Sequence, residues 1–343
     1  MASRDLLTLN GDDVRVLLEG REPQVIEAIS AAYKAHGRGD SSLPHSLFLR
    51  FPADERSRII ALPAYLGDGF GVAGMKWISS FPANLEKGLE RASAVIILNS
   101  AQTGWPQVMM EGSLVSAKRT AASASLAALH LNKELPDAVG IIGCGPINFE
   151  VTRFLRTVWP SLKSFYAFDL SAERAEQFKQ RWRRLHEDVE VEVITELSTV
   201  LRATKLISIA TSASTPHIFS ISECAPGSTI LHVSLRDLSP EIILSSDNVV
   251  DDVAHVSRAQ TSIHLAEQLI GDREFIRGTL AEILEGTAPA KKDPQAVTVF
   301  SPFGLGVLDL AVAQLVVDLA SEQKRGTLLQ NFLPSTDANE KSA

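Results

Sequence analysis

One stretch limits the fold of this chain more than any other: Ala138-Val-Gly-Ile-Ile-Gly-Cys-Gly-Pro-Ile-Asn148. It begins as an apolar run long enough for a buried strand over 138–142 and too short for a helix. It then turns on Gly143-Cys144-Gly145, and Pro146 and Ile147 open a helical pattern carrying Phe149, Val151, Phe154, Leu155 and Val158. A strand, glycine turn and helix in that order let a pyrophosphate approach the backbone. There, unpaired N–H groups and the helix dipole favour an anion. Asp169 closes a second apolar run 24 residues beyond Gly145, near the interval at which an acidic side chain meets a ribose hydroxyl. The third glycine position of such turns is held here by Asn148. A plain reading also exists, in which the turn is an ordinary βα connection and Asp169 caps the following helix. Asp169 would repel a 2′-phosphate, and no arginine follows until Arg174, so the motif predicts NAD rather than NADP.

After residue 138 the rhythm is one of alternating strands and helices. Strands are expected at 138–142, 164–168, 190–194, 205–209, 228–233 and 248–251, with Val297–Phe300 as the last. That is the pattern of an α/β fold with a doubly wound parallel sheet. The chain before it reads differently. Two helices over 12–36 lead into the runs 46–51, 58–62, 72–77, 94–98 and 107–110, which predict an antiparallel or mixed sheet, followed by a helix over 114–131. An apolar helix is expected at 305–319 and a polar tail at the end. The expected division is 1–118, then 119–304, a helix within 305–325, and a tail over 326–343.

A net charge of −8 argues against nucleic acid or an anionic membrane as partner. The start has no apolar signal core, and no apolar stretch approaches a membrane span. Two cysteines make no disulfide framework, so a cytoplasmic location is expected. The eight histidines show no metal-ligand spacing, and no metal site is expected.

Chemistry-bearing candidates fall in two groups. Arg50, Lys76, Arg91 and Arg119 are cations in apolar or small-residue settings, suited to carboxylates; surface residues or core ion pairs would look the same. Asp237 follows an expected parallel strand at the edge where doubly wound sheets bind ligands, and fits a general base or a turn cap. Thr211, Ser212, Ser234 and Ser301 stand just past other such strands and are candidates to line a nicotinamide site. Asp309, beyond the Ser301–Gly306 turn, is equally open to a structural role.

Taken together, Gly74-Met-Lys-Trp-Ile-Ser-Ser-Phe-Pro-Ala-Asn84, Thr103-Gly-Trp-Pro106, Met110-Glu-Gly-Ser113, Ser116-Ala-Lys-Arg-Thr-Ala-Ala122, the 140–145 turn and Val299-Phe-Ser-Pro-Phe-Gly304 with Leu308-Asp309 resemble the ornithine cyclodeaminase/mu-crystallin family. The resemblance covers about residues 5 to 325. It implies a Rossmann domain binding NAD(P) and an α+β domain that carries substrate and makes a homodimer, with the last long helix returning to that first domain. It also implies that Lys76 and Arg119 hold the substrate carboxylate, Lys76 being counted with Asp237 among the catalytic residues and Asp237 as acid/base. Burial among cations would keep Asp237 ionised, so that it begins as the base. Three positions depart from the family pattern: His45 where a Pro-Arg pair is frequent, Arg91 where small residues are usual, and Arg236 where glycine is common. The extra arginines, Arg50, Arg91 and Arg236, favour a substrate with several carboxylates over cationic ornithine. The stretches 44–52 and 234–241 are similar to one branch of the family. Its members oxidise N-(2-amino-2-carboxyethyl)-L-glutamate with NAD and so make 2,3-diaminopropionate for siderophores and peptide antibiotics. A cyclodeaminase with catalytic NAD, or a nucleotide-regulated binding protein without catalysis, are the alternatives.

Overall fold

The computed structural model describes residues 4–132 and 134–335. In chain order the elements are β1 (Leu6–Leu9), α1 (Gly11–Leu18), α2 (Glu22–Gly37), β2 (Ser41–Ser42), β3 (Leu47–Phe51), β4 (Asp54–Leu66), β5 (Val72–Ser80), β6 (Ala92–Ser100), β7 (Pro106–Glu111) and α3 (Ser113–Leu131). There follow β8 (Val139–Ile142), α4 (Pro146–Val158), β9 (Ser164–Phe168), α5 (Ala172–Leu185), β10 (Glu190–Val193), α6 (Leu197–Ala203), β11 (Leu206–Ile209) and β12 (Thr229–His232). The remainder are α7 (Pro240–Leu244), β13 (Asp247–Val250), α8 (Val253–Val256), α9 (Ser262–Ile270), β14 (Ile276–Thr279), α10 (Leu280–Leu284), β15 (Thr298–Ser301), α11 (Gly306–Gln323) and β16 (Thr327–Leu329). They form two compact units: residues up to Arg119 with those from Leu305 on, and Thr120–Gly304.

The first unit is built on an eight-stranded mixed sheet in the order β16-β1-β7-β6-β5-β4-β2, with β3 paired to β4. Helix α11 packs over β4, β5 and β6 and against α1 and α2. It is apolar nearly all round and buried along most of its length, as a helix without a polar face must be. Helix α2 meets the core through Val25, Ile29, Ala32 and Tyr33, a stripe at helical spacing. Strand β4 runs through Pro63, a residue that argues against a long central strand. The register resolves this, because β3 begins with Leu47 opposite Ala61 and β2 ends with Ser42 opposite Tyr65. Pro63, with no N–H to give, lies where β4 has β5 as its only partner.

The second unit is a wholly parallel sheet in the order β10-β9-β8-β11-β12-β15-β13-β14. Strands β8, β11, β12, β13 and β15 are buried at every position, so they show no alternation with a solvent-facing side, and polar residues within them such as Ser208, His232 and Asn248 are buried too. The strand order reverses between β8 and β11, which are paired neighbours, and that is the point where such sheets take ligands.

Three expectations are corrected. The first sheet gains β1, parallel to β7, and β16, antiparallel to β1. Strand β16 falls in the segment expected as a polar tail: Thr327, Leu328 and Leu329 pair at the sheet edge, while 336–343 lie outside the described residues. In the second unit β14 was not foreseen, since Ile-Arg-Gly-Thr carries too little apolar sequence to announce a strand. No helix among the described residues is long and apolar enough to cross a membrane.

Candidate functional site

In the second unit the glycine turn has the form its sequence requires. Gly143 has φ +90°, and a Cβ there would lie 2.5 Å from the Ala210 carbonyl oxygen, so both backbone sign and space demand glycine. Gly145 is different. Its φ is −85° and a Cβ would meet nothing within 4 Å, so neither conformation nor internal packing calls for glycine. The missing side chain leaves the backbone bare at the N-terminus of α4, where no side chain caps the free N–H groups and Pro146 begins the helix. That is the surface a pyrophosphate needs, and Gly143, Gly145, Pro146 and Ile147 would form it. Asn148 stands in for the third glycine by tying strands together. It is fully buried, donates to the carbonyls of Ile142 (2.9 Å) and Gly143 (2.7 Å), and accepts from the Ser208 hydroxyl (2.6 Å). Asp169 accepts from the backbone N–H of Cys144 (2.8 Å) and of Ser171 (2.9 Å). The cap of α5 is Ser171, so Asp169 fixes the glycine turn while its half-exposed carboxylate keeps lone pairs for a ribose hydroxyl. Burial, with the charge of Asp169 added, pushes the Cys144 thiol up to about 12, which leaves it no nucleophilic role at neutral pH.

Asp237 is fully buried and held by four side chains. Oδ1 accepts from the Thr211 hydroxyl and from His217 Nε2 (3.1 Å); Oδ2 accepts from the Ser234 hydroxyl and from His232 Nε2 (3.2 Å). Burial alone would raise its pKa. The hydrogen bond and charge of His232, with the Ser234 and Thr211 hydroxyls, overturn that and hold it below the usual carboxylate range. The downward direction is the one expected from sequence, and among the causes the only cation is His232, beside the hydroxyls. His232 Nδ1 lies 3.3 Å from the Ser301 hydroxyl, and its Nε2 is met both by Asp237 Oδ2 and by the Asp237 backbone N–H (3.2 Å each). Leu235, with φ +70°, bends the loop that aims Asp237, and the Asp237 carbonyl receives the N–H groups of His217 and Ile218 (3.0 and 2.9 Å). His217 is the one partner with a substantially exposed side chain, at 42%. Ser212 is exposed nearby in sequence, whereas Ser301 is fully buried on His232 and belongs to the Asp237 cluster. Arg236, expected on substrate, gives an Nη to the Ala259 carbonyl (2.7 Å) and so anchors a loop. Among the described residues no group of His, Cys, Asp and Glu is arranged to hold a metal ion.

The first unit holds a second buried charge cluster. Lys76 on β5 is 2% exposed; its Nζ lies 2.7 Å from Asp309 Oδ2, more an ion contact than an aligned hydrogen bond, and donates to Ser116 (3.1 Å). Arg119 Nε donates to the other oxygen, Oδ1, at 3.0 Å. Local structure sets this up. Glu111 accepts from the N–H groups of Ser113 and Leu114 and starts α3, which then presents Ser116 and Arg119 three residues apart on one face. Asp309 sits in the first turn of α11, where the helix dipole favours an anion. Burial, then the charge of Arg119, lower the Lys76 pKa to about 8, with Asp309 only partly opposing. Two cations against one carboxylate leave one positive charge uncompensated inside the unit. Arg50 is exposed on β3, 5.7 Å over the Phe48 ring, and Arg91 is half-buried with Nη1 near Ser80 (3.4 Å). The sequence reading did not single out His217 or Arg58, nor Asp309 as the shared partner of Lys76 and Arg119.

Comparison with known proteins adds four findings. The sequence profile of the ornithine cyclodeaminase/mu-crystallin family matches residues 10–324. The chain is 28% identical to the N-((2S)-2-amino-2-carboxyethyl)-L-glutamate dehydrogenase of Staphylococcus aureus, over 96% of this chain and 100% of that one. Among solved structures it is similar to the Δ1-pyrroline-2-carboxylate reductase of Thermococcus litoralis in complex with NADH and L-proline, with TM-score 0.86 and 25% identity over 94% and 99% of the two chains. It is also similar to an archaeal alanine dehydrogenase dimer with bound NAD, with TM-score 0.84 and 25% identity over 95% and 99%.

Proposed function

The chain belongs to the ornithine cyclodeaminase/mu-crystallin family, and from that premise we propose that it is an NAD-dependent oxidoreductase acting on the CH–NH group of an amino-acid adduct. The substrate is N-(2-amino-2-carboxyethyl)-L-glutamate. With NAD+ and water it gives 2-oxoglutarate, L-2,3-diaminopropionate, NADH and a proton. The observation that carries this reading is the single uncompensated positive charge of the Lys76–Asp309–Arg119 cluster, which calls for a carboxylate.

Lys76 and Arg119 hold the carboxylate beside the reacting carbon, and Asp309 keeps both cations in place. Asp169, Thr211, Ser212, Ser234 and the 143–147 turn hold the nucleotide, and Asp169 disfavours a 2′-phosphate. The nicotinamide supplies the hydride acceptor when bound. Asp237 starts ionised and therefore begins as base. Four donors fill its acceptor sites, so it takes a proton only as one of them turns away. His217 is the partner open to solvent, and it passes that proton to bulk water. The protein works as a homodimer joined through the first unit, whose β3 exposes Leu47 and Leu49 (69% and 47%).

The test is incubation of the adduct with NAD+ and mass-spectrometric identification of products. Equimolar 2-oxoglutarate, 2,3-diaminopropionate and NADH are expected. Turnover of ornithine to proline with no net NADH, and none of the adduct, would replace this reading by a cyclodeaminase.

A further inference from the structure

Three arginines stand together on the sheet of the first unit, and none has a carboxylate partner among the described residues. Arg50 and Arg58 are direct partners across β3 and β4. Arg58 is in turn the partner of Ser80 across β4 and β5, and Arg91 reaches that same Ser80 hydroxyl at 3.4 Å. Directly opposed residues of antiparallel strands project from the same face, and like charges so placed destabilise the pair. The half-buried Arg58 guanidinium is disfavoured first by burial, then by Arg91 and Arg50. Arginine does not shed its proton, so the repulsion is relieved by an anion rather than by titration.

The position of this trio relates it to Lys76. The register of β4 with β5 runs without a shift from Arg58–Ser80 to Leu62–Lys76 and beyond. Lys76 and Ser80 are four residues apart on one strand, so they share a face at a separation of ~13 Å. A cation that grips one carboxylate and a trio that lacks any thus lie along one line of one sheet face.

We propose that Arg50, Arg58 and Arg91 form the subsite for the carboxylates of the substrate that lie farther from the reacting carbon, with Arg58 as a specificity-determining residue. The proposal rests on the reading that Lys76 and Arg119 hold the nearer carboxylate. It makes the preferred substrate an amino acid with two or more carboxylates, and it explains an unpaired pair of opposed arginines that folding alone would disfavour. Single-carboxylate amino acids fill the Lys76 end and leave the trio's repulsion in place.

The test compares wild type, Arg58→Gln, Arg58→Lys, Arg91→Gln and Lys76→Met. Each is given the adduct and its γ-amide analogue, in which a distal carboxylate is uncharged, in equilibrium dialysis and in steady-state turnover. Wild type is expected to prefer acid over amide by about 30-fold or more. In Arg58→Gln that preference should fall to within ~3-fold, with Arg58→Lys keeping part of it and Arg91→Gln behaving like Arg58→Gln. Hydrogen exchange of peptides from β4 and β5 reports whether the first unit of each variant is folded; if that of Arg58→Gln is not, Arg91→Gln carries the same comparison. Wild-type discrimination retained in the glutamine variants, or absent from wild type, overturns the subsite. If Lys76→Met loses the adduct while Arg58→Gln keeps the preference, only this proposal falls. If wild type binds no adduct at all, the proposed substrate falls with it.

Discussion

Replacing Lys76 by methionine should stabilise the first unit at neutral pH while disabling the enzyme. Unfolded, Lys76 holds its proton up to about 10.5; folded, it holds it only to about 8. Between those values the unfolded chain binds the extra proton, so wild-type stability rises with pH across that window. Below pH 8 the full cost of a buried ammonium is present, and above about 10.5 it is gone. At about 1.4 kcal/mol per pH unit the gap amounts to about 3 kcal/mol. Methionine fills similar space without charge, and Asp309 keeps Arg119 at 3.0 Å. The variant should therefore exceed wild type at pH 7 by up to about 3 kcal/mol, and the difference should close between pH 8 and 10.5. Hydrogen exchange of peptides from β5 and α11, followed at pH 7, 8.5 and 10, reads the first unit alone and cancels groups common to both proteins. Turnover of the adduct should fall at least ~30-fold in kcat/KM, because a carboxylate loses a buried charged partner. A variant less stable than wild type by a constant amount at every pH would show Lys76 to be a structural ion-pair partner and refute the reasoning.

Other consequences follow from the same geometry. Asp169→Ser should narrow the preference for NAD+ over NADP+ in equilibrium binding, since it removes the charge opposed to a 2′-phosphate; wild type preferring NADP+ would contradict the role given to Asp169. His217→Gln keeps a donor to Asp237 Oδ1 but carries no proton, so kcat should drop about 10- to 100-fold with KM little changed. Steady-state kinetics checks this, and an unchanged kcat would remove His217 from the proton path. Sedimentation at micromolar concentration should give a dimer, and charged substitutions at Leu47 and Leu49 should shift it towards monomer.

Legibility in the sequence followed the range of the forces involved. The glycine turn was readable because Gly143 answers a local demand: positive φ and contact with Ala210 leave no other residue. The parallel strands were readable because burial on both faces makes them mainly apolar, with only single polar positions such as Ser208 and His232 inside them. Strands β1, β14 and β16 were not, since three or four residues at or near a sheet edge bury too little to impose a pattern. Lys76 and Arg119 stood out as cations in small or apolar surroundings. Their shared partner did not, because the Arg119–Asp309 contact closes over 190 residues. Arg58 looked like the charged flank of an apolar run, and only the β3–β4 register sets it opposite Arg50. His217 lies in a polar loop with no periodicity, brought to Asp237 by backbone hydrogen bonds that no spacing announces.

The central claim is oxidation at the glutamyl Cα, and an isotope follows it directly. Adduct carrying deuterium at that carbon, incubated with NAD+ and excess enzyme, should yield singly deuterated NADH, unlabelled 2-oxoglutarate and 2,3-diaminopropionate in equal amounts. Deuterium retained in an amino-acid product, or recovered in cyclised product with no net NADH, would contradict it.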